Sequence, residues 1–220
     1  MCENETVTFH KMSYLPIPIV TDIFWRLGEQ GFRFLGPLIV DGLAYKKLDF
    51  TGEVLANVDM DEFIFNGTLA NVESSYRVFL LKCVKEGNMI ARYVESLRIL
   101  TQDDPSSEEA FHMLSLCVEH SLFAHFAYGI LLICCGCFRK GMDITERFLS
   151  LVPDLETAVM VGNVVAKQVS SMEILGYRFL ATSCKFDIWP PCYQQHPPAG
   201  SICKHCFAYS FATRFCMLYW

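Results

Sequence analysis

The 220-residue sequence predicts a mostly α-helical protein: a short N-terminal helical bundle, then antiparallel helix pairs, then an irregular Cys-rich tail. Three observations carry that prediction. Apolar residues recur at helical spacing through most of the chain, while strand-like alternation is scarce. Turn signals at Gly36-Pro37, Asn66-Gly67, Asp103-Asp104-Pro105, Pro153 and Pro190-Pro191 cut the periodic stretches into pieces of helix length. Finally, GNMIARYVESL (87–97) lies over HSLFAHFAYGI (120–130) at an offset of 33 residues, matching Ala91 with Ala124, Tyr93 with Phe126 and Ser96 with Gly129. Small residues where two helices cross, aromatics beside them and a period in the thirties mark a helical repeat array.

The elements follow in order. Pro16 and Pro18 suit a helix start, because proline lacks an N–H that a first-turn residue could not use and its φ is already helical. Beyond them Ile19, Val20, Ile23, Phe24 and Leu27 form an apolar face, Thr21, Asp22 and Arg26 a polar one, and Gly28 is the expected stop. Residues 32–48 are apolar enough to be buried but are interrupted by Gly36-Pro37; Thr51 then offers a cap, with Val54, Leu55 and Val58 on one side. The expected helix pairs are YRVFLLKCVKE with MIARYVESLRIL and SSEEAFHMLSLCVE with FAHFAYGILLICC. A weaker third joins KGMDITERFLSLV to DLETAVMVGNVVAKQV. After Cys184 the chain is rich in Pro, aromatics and Cys without a sustained period. The expected boundaries are 13–65, 76–183 and 184–220.

Composition excludes several functions. Hydrophobic residues make up 52% and charged ones 19%, so the chain is no disordered segment. A net charge of −6 without a Lys/Arg cluster argues against nucleic acid as a partner. FAHFAYGILLICCGCF (123–138) is too short for a bilayer and reads as a buried helix, so no membrane is expected as a partner. The polar, acidic N-terminus does not read as a signal peptide. With eleven cysteines and no such signal, a reducing compartment is expected, where thiols are core residues, metal ligands or reactive groups rather than bridges.

Five of those cysteines fall in residues 184–220. Zinc needs four thiolate or imidazole ligands, and Cys203-Lys204-His205-Cys206 supplies two from one turn. Cys216 lies ten residues on, and Cys192 or Cys184 would complete the set, with His196 a less regular choice. Free buried thiols and redox chemistry are the alternatives to a structural zinc. Cys134, Cys135 and Cys137 end an apolar helix, where neighbouring side chains point apart, and read as core thiols. No nucleophile elbow, phosphate loop or H-E-x-x-H occurs, and His112, His120 and His125 read as packing or surface residues, so a non-catalytic protein is expected.

Leu15-Pro16, then Ile19, Val20 and Ile23, then a second apolar segment closing at Leu48, resemble an F-box. The order continues as in plant F-box proteins carrying tetratricopeptide-like (Sel-type) repeats. These have an FL-x-x-C-x-x-x-GN-x-x-A-x-Y stretch, as Phe79 to Tyr93 read here, then Tyr-Gly-Ile-Leu-Leu, as at Tyr128 to Leu132. A terminal C-x-x-C with a later Phe-Cys follows, as at Cys203, Cys206, Phe215 and Cys216. The resemblance implies a substrate-recognition subunit of a Skp–cullin–F-box ubiquitin ligase in the cytoplasm or nucleus. Leu15, Pro16, Ile19, Val20 and Ile23 would dock on the Skp-type adaptor, and through it a cullin, while the repeats recruit a target protein. The chain departs from the pattern at Asp41-Gly42-Leu43, where a Cys-Lys pair is usual, and at Gly36-Pro37, which breaks a normally continuous helix. A repeat scaffold with a decayed F-box and no ligase role is therefore the alternative.

Overall fold

A computed structural model of the chain describes residues 16–35, 51–100, 107–172, 192 and 203–218. Among these described residues the regular structure is helical throughout and no strand is present, as the periodicity requires. The first elements are α1 (Ile17–Glu29), α2 (Thr51–Asn57) and α3 (Asp61–Phe65), followed by a 3-10 turn (Gly67–Ala70). Then come α4 (Arg77–Glu86), α5 (Met89–Leu100), α6 (Ser107–Cys117), α7 (Leu122–Cys134), α8 (Phe138–Leu151), α9 (Leu155–Ser171) and α10 (Lys204–Leu218).

The internal repeat is written into the helix starts. Helices α5, α7 and α9 begin at Met89, Leu122 and Leu155, each 33 residues after the last. The residue before each start is a side-chain cap accepting from the third helical amide. Ala91 N–H donates to Asn88 Oδ1 (3.0 Å), Ala124 N–H to Ser121 Oγ (3.4 Å) and Thr157 N–H to Asp154 Oδ1 (2.7 Å). The small residue of each copy keeps the same register, at Ser96, Gly129 and Gly162.

The pairing differs from the sequence expectation by one helix. The two most extensive helix contacts join α5 to α6 and α7 to α8, so each copy of the repeat opens a hairpin instead of closing one, and α8 pairs with α7, not with α9. The reason is a glycine crossing. A Cβ on Gly141 would lie 2.8 Å from the Gly129 carbonyl oxygen, and one on Gly129 would lie 2.8 Å from Thr145 Oγ1, so the α7 and α8 backbones touch only because both side chains are missing. Helix α9 instead packs on α7 and reaches back to α3 and the 3-10 turn. There the buried Gln168 donates from Nε2 to the Phe63 carbonyl (2.9 Å) and accepts from the Tyr93 hydroxyl (2.7 Å). Burial pushes the Tyr93 phenol well above its ordinary value.

The N-terminal helices share the same core. Phe32 packs against Phe63 (4.6 Å between ring centroids), Tyr76 (5.0 Å) and Phe79 (6.0 Å), tying the helical residues 32–35 that follow α1 to α3 and α4. Gly87, at φ 94°, ends α4 in the left-handed region, and its neighbour Asn88 does more than cap α5. The Asn88 amide also donates to the Leu55 (3.2 Å) and Val58 (2.9 Å) carbonyls at the end of α2. A second buried polar node joins α4 to α5: Glu95 receives hydrogen bonds from Arg77 and Arg98. Burial alone would raise its pKa, but the two guanidiniums outweigh that and hold it below the usual carboxylate range.

Two further expectations change. Helix α1 runs through Gly28 to Glu29, and Gly28 is a buried helical residue whose carbonyl accepts from Asp59 N–H (3.1 Å). The tail is not wholly irregular, because α10 occupies much of it. Phe207, Phe211 and Phe215, four residues apart, bury one face with Ala208 and Ala212, and their rings lie 6.1, 5.0 and 6.3 Å from that of Phe126. A Cβ on Gly162 would strike the Phe211 ring at 2.5 Å, so the small residue of the third copy makes room for α10. No described helix is long and apolar enough to cross a membrane; the apolar α7 is 13 residues long and sunk among α8, α9 and α10.

Asn88→Ala should destabilise the protein by roughly 2–4 kcal/mol, because a cap worth about 1 kcal/mol is lost and two buried carbonyls lose their donor. Ser121→Ala, which removes only a cap, should cost about 1 kcal/mol. Urea denaturation of both variants measures the difference, and equal losses would mean that Asn88 does not tether α2.

Candidate docking helix and thiol cluster

Helix α1 has two apolar flanks, because five apolar positions spread over more than one helical stripe. Val20 (2% exposed) and Phe24 (1%) face the protein's own core, whereas Ile19 is 49% exposed. Pro16, Ile19 and Ile23 follow at i, i+3 and i+7, so they form one outward row, with Pro16 exposed and Ile23 half-buried. The resemblance places Val20 on the docking surface; burial in the core removes it, since the side chain is already consumed by intramolecular packing. Leu15 lies outside the described residues. An exposed Asp22–Arg26 ion pair (3.0 Å) borders the row. Phe34, 54% exposed, is a large apolar residue on this part of the chain that the helical pattern did not single out.

The second candidate lies at the start of α10. Cys203 directly precedes the helix and its carbonyl accepts from Phe207 N–H (2.8 Å), which makes it the cap residue; Cys206 is the third residue of the helix. Cys192 reaches both: its Sγ stands 3.3 Å from that of Cys203 and 3.5 Å from that of Cys206. All three sulfurs lie within 4.8 Å of one another. Burial, with the adjoining Cys192 and Cys203 sulfurs, pushes the Cys206 thiol up to about 12. A Lys204–Glu146 ion pair (2.5 Å) fixes the same helix end to α8.

Cys216 does not join this group. Ten residues beyond Cys206 on a continuous helix is about 15 Å of axial travel, so no tight turn returns it to the cluster. It packs instead against Cys134, 3.9 Å between sulfurs, and the Cys134 thiol points to the Ala212 carbonyl (3.7 Å). Cys134 is buried as expected, Cys135 half-buried and Cys137 exposed, so the last is not a core thiol. Cys184 and His196 lie outside the described residues. Among the histidines, His112 and His120 are exposed. His125 is buried beside Phe148, and burial lowers its pKa below the ordinary value.

No protein-family model, no curated protein and no solved structure matches this chain.

The two flanks of α1 should respond oppositely to charge. Val20→Asp places an unpaired carboxylate in the core and should cost about 3–5 kcal/mol. Ile19→Asp, at an exposed position, should change stability by no more than about 0.5 kcal/mol. Thermal or urea unfolding of the two variants checks this, and a destabilising Ile19→Asp would mean that the outer row is not free for a partner.

Proposed function

We propose that the chain is a non-catalytic receptor subunit of a Skp–cullin–F-box type ubiquitin ligase. In this reading α1 docks on the Skp-type adaptor, the adaptor leads to a cullin, and the helix pairs present a target protein. The observation that carries the reading is the outward row of α1. A short proline-led helix keeps Pro16 and Ile19 in solvent, with Ile23 at their flank, although its other face is fully committed to the core. Isolated surface apolar residues need no explanation, but a row at helical spacing beside a Leu-Pro start matches what a helix-docking adaptor would grip. The adaptor contacts are accordingly Pro16, Ile19 and Ile23, with Leu15 expected from the sequence alone.

A second reading has its own support. With Val20 and Phe24 turned inward, the outer row is narrow, and a scaffold that binds partners through its helix pairs without reaching a ligase fits it equally well. Binding of the purified chain to a purified Skp-type adaptor, measured by calorimetry, separates the two. Saturable binding that Ile19→Asp weakens at least about tenfold, a loss near 1.4 kcal/mol, is expected for the ligase subunit. No binding by the unmutated chain would leave the scaffold.

A further inference from the structure

Sulfur spacing at the head of α10 is too wide for a covalent bridge. A disulfide requires about 2.05 Å between sulfurs, well below the 3.3 and 3.5 Å found here. Cys192 is also almost equally close to two partners, and a thiol can form a disulfide with only one. Three ligands sharing one ion do form a triangle. Thiolates about 2.3 Å from a tetrahedral zinc stand roughly 3.8 Å apart, so the two distances from Cys192 fall short of that by only a few tenths of an ångström.

We propose that Cys192, Cys203 and Cys206 hold one zinc ion, and that this ion ties the head of α10 to the chain that leads into it. The site belongs to the C-terminal segment and does not depend on any role in a ligase. Its donor set is purely thiol, which selects a soft or borderline ion and rejects magnesium and calcium. The position adds to this: Cys203 and Cys206 occupy the cap and first turn of a 15-residue helix, so a single turn presents both sulfurs to Cys192. Among the described residues no fourth Cys, His, Asp or Glu atom joins the three, so a further ligand or water takes the fourth vertex.

What the ion would achieve follows from the packing. Helix α10 fills the space beside Gly162 where Phe211 enters, and its phenylalanines close over Phe126 and Phe148. Residues 173–202 separate it from α9 in the chain, and linking Cys192 to its first turn shortens the stretch of chain whose ends must be brought together when the helix docks. Metal-binding energy then becomes docking energy for α10. Among the described residues no third ligand atom is grouped with the Cys134–Cys216 pair at the other end of the helix.

The test uses the full chain, reduced, with zinc content measured by mass spectrometry after dialysis and Co2+ as the spectroscopic probe. One zinc per chain is expected, and Co2+ should give tetrahedral d–d bands with thiolate charge transfer whose intensity counts at least three sulfurs. Cys192→Ser, Cys203→Ser and Cys206→Ser should each weaken Co2+ binding beyond the about 10- to 100-fold typical of losing an outer hydrogen-bond partner, while Cys134→Ser and Cys216→Ser bind as the parent does. Chelation of the unmutated chain, which needs no variant to fold, should speed hydrogen exchange in α10 and leave α5 and α7 protected. Metal-free protein with reduced thiols would overturn the proposal. So would Cys216→Ser losing metal as readily as Cys203→Ser, or α10 amides indifferent to chelation.

Discussion

The arrangement of the whole chain depends on the carboxamide of Gln168. It is 1% exposed, and one end donates to the Phe63 carbonyl while the other accepts from the Tyr93 hydroxyl. A buried amide left unpaired would cost about twice what a satisfied one contributes, so the contact fixes where α9 can lie. Helix α9 therefore does not extend the array outward, as a third copy in register would suggest, but folds back onto the N-terminal helices. That return turns Gly162 toward Phe211 and so creates the seat for α10. The packing of α10 thus rests on where Gln168 holds α9.

Other buried polar groups follow the same logic, each joining elements that apolar packing alone would leave free to slide. Asn88 couples the start of α5 to the end of α2, and Glu95 couples α5 to α4 through Arg77. Because every donor and acceptor carried by the Asn88 side chain is used at named carbonyls and amides, the N-terminal helices are held in one register relative to the repeats. The same constraint shapes α1. Once Val20 and Phe24 are committed to the shared core, only the flank bearing Pro16 and Ile19 remains for a partner.

Much of this was legible in the sequence, and the failures have physical causes. Helical class followed from periodicity, and the 33-residue offset seen between 87–97 and 120–130 extends to a third helix capped by Asp154. Pairing phase was not legible, because it is set by the Gly129–Gly141 crossing and a single glycine in a helix does not announce its neighbour. In α1 the five apolar positions span two stripes, and only the rest of the fold decides which stripe is buried. Helix α10 was hidden by the prolines and cysteines around it, although Phe207, Phe211 and Phe215 already stood at i, i+4 and i+8. Missing that helix also misassigned Cys216, which a loop could have returned to Cys203 and Cys206 but a helix cannot.

The most direct measurement is a double-mutant cycle on Tyr93→Phe and Gln168→Leu, read by urea denaturation. Removing either partner leaves a buried polar atom unsatisfied, so the two changes should be strongly non-additive, with a coupling of about 1 kcal/mol or more and the double variant less damaged than the sum. Strict additivity would contradict the central claim, because it would mean that α9 is held against the N-terminal helices without the Tyr93–Gln168 contact.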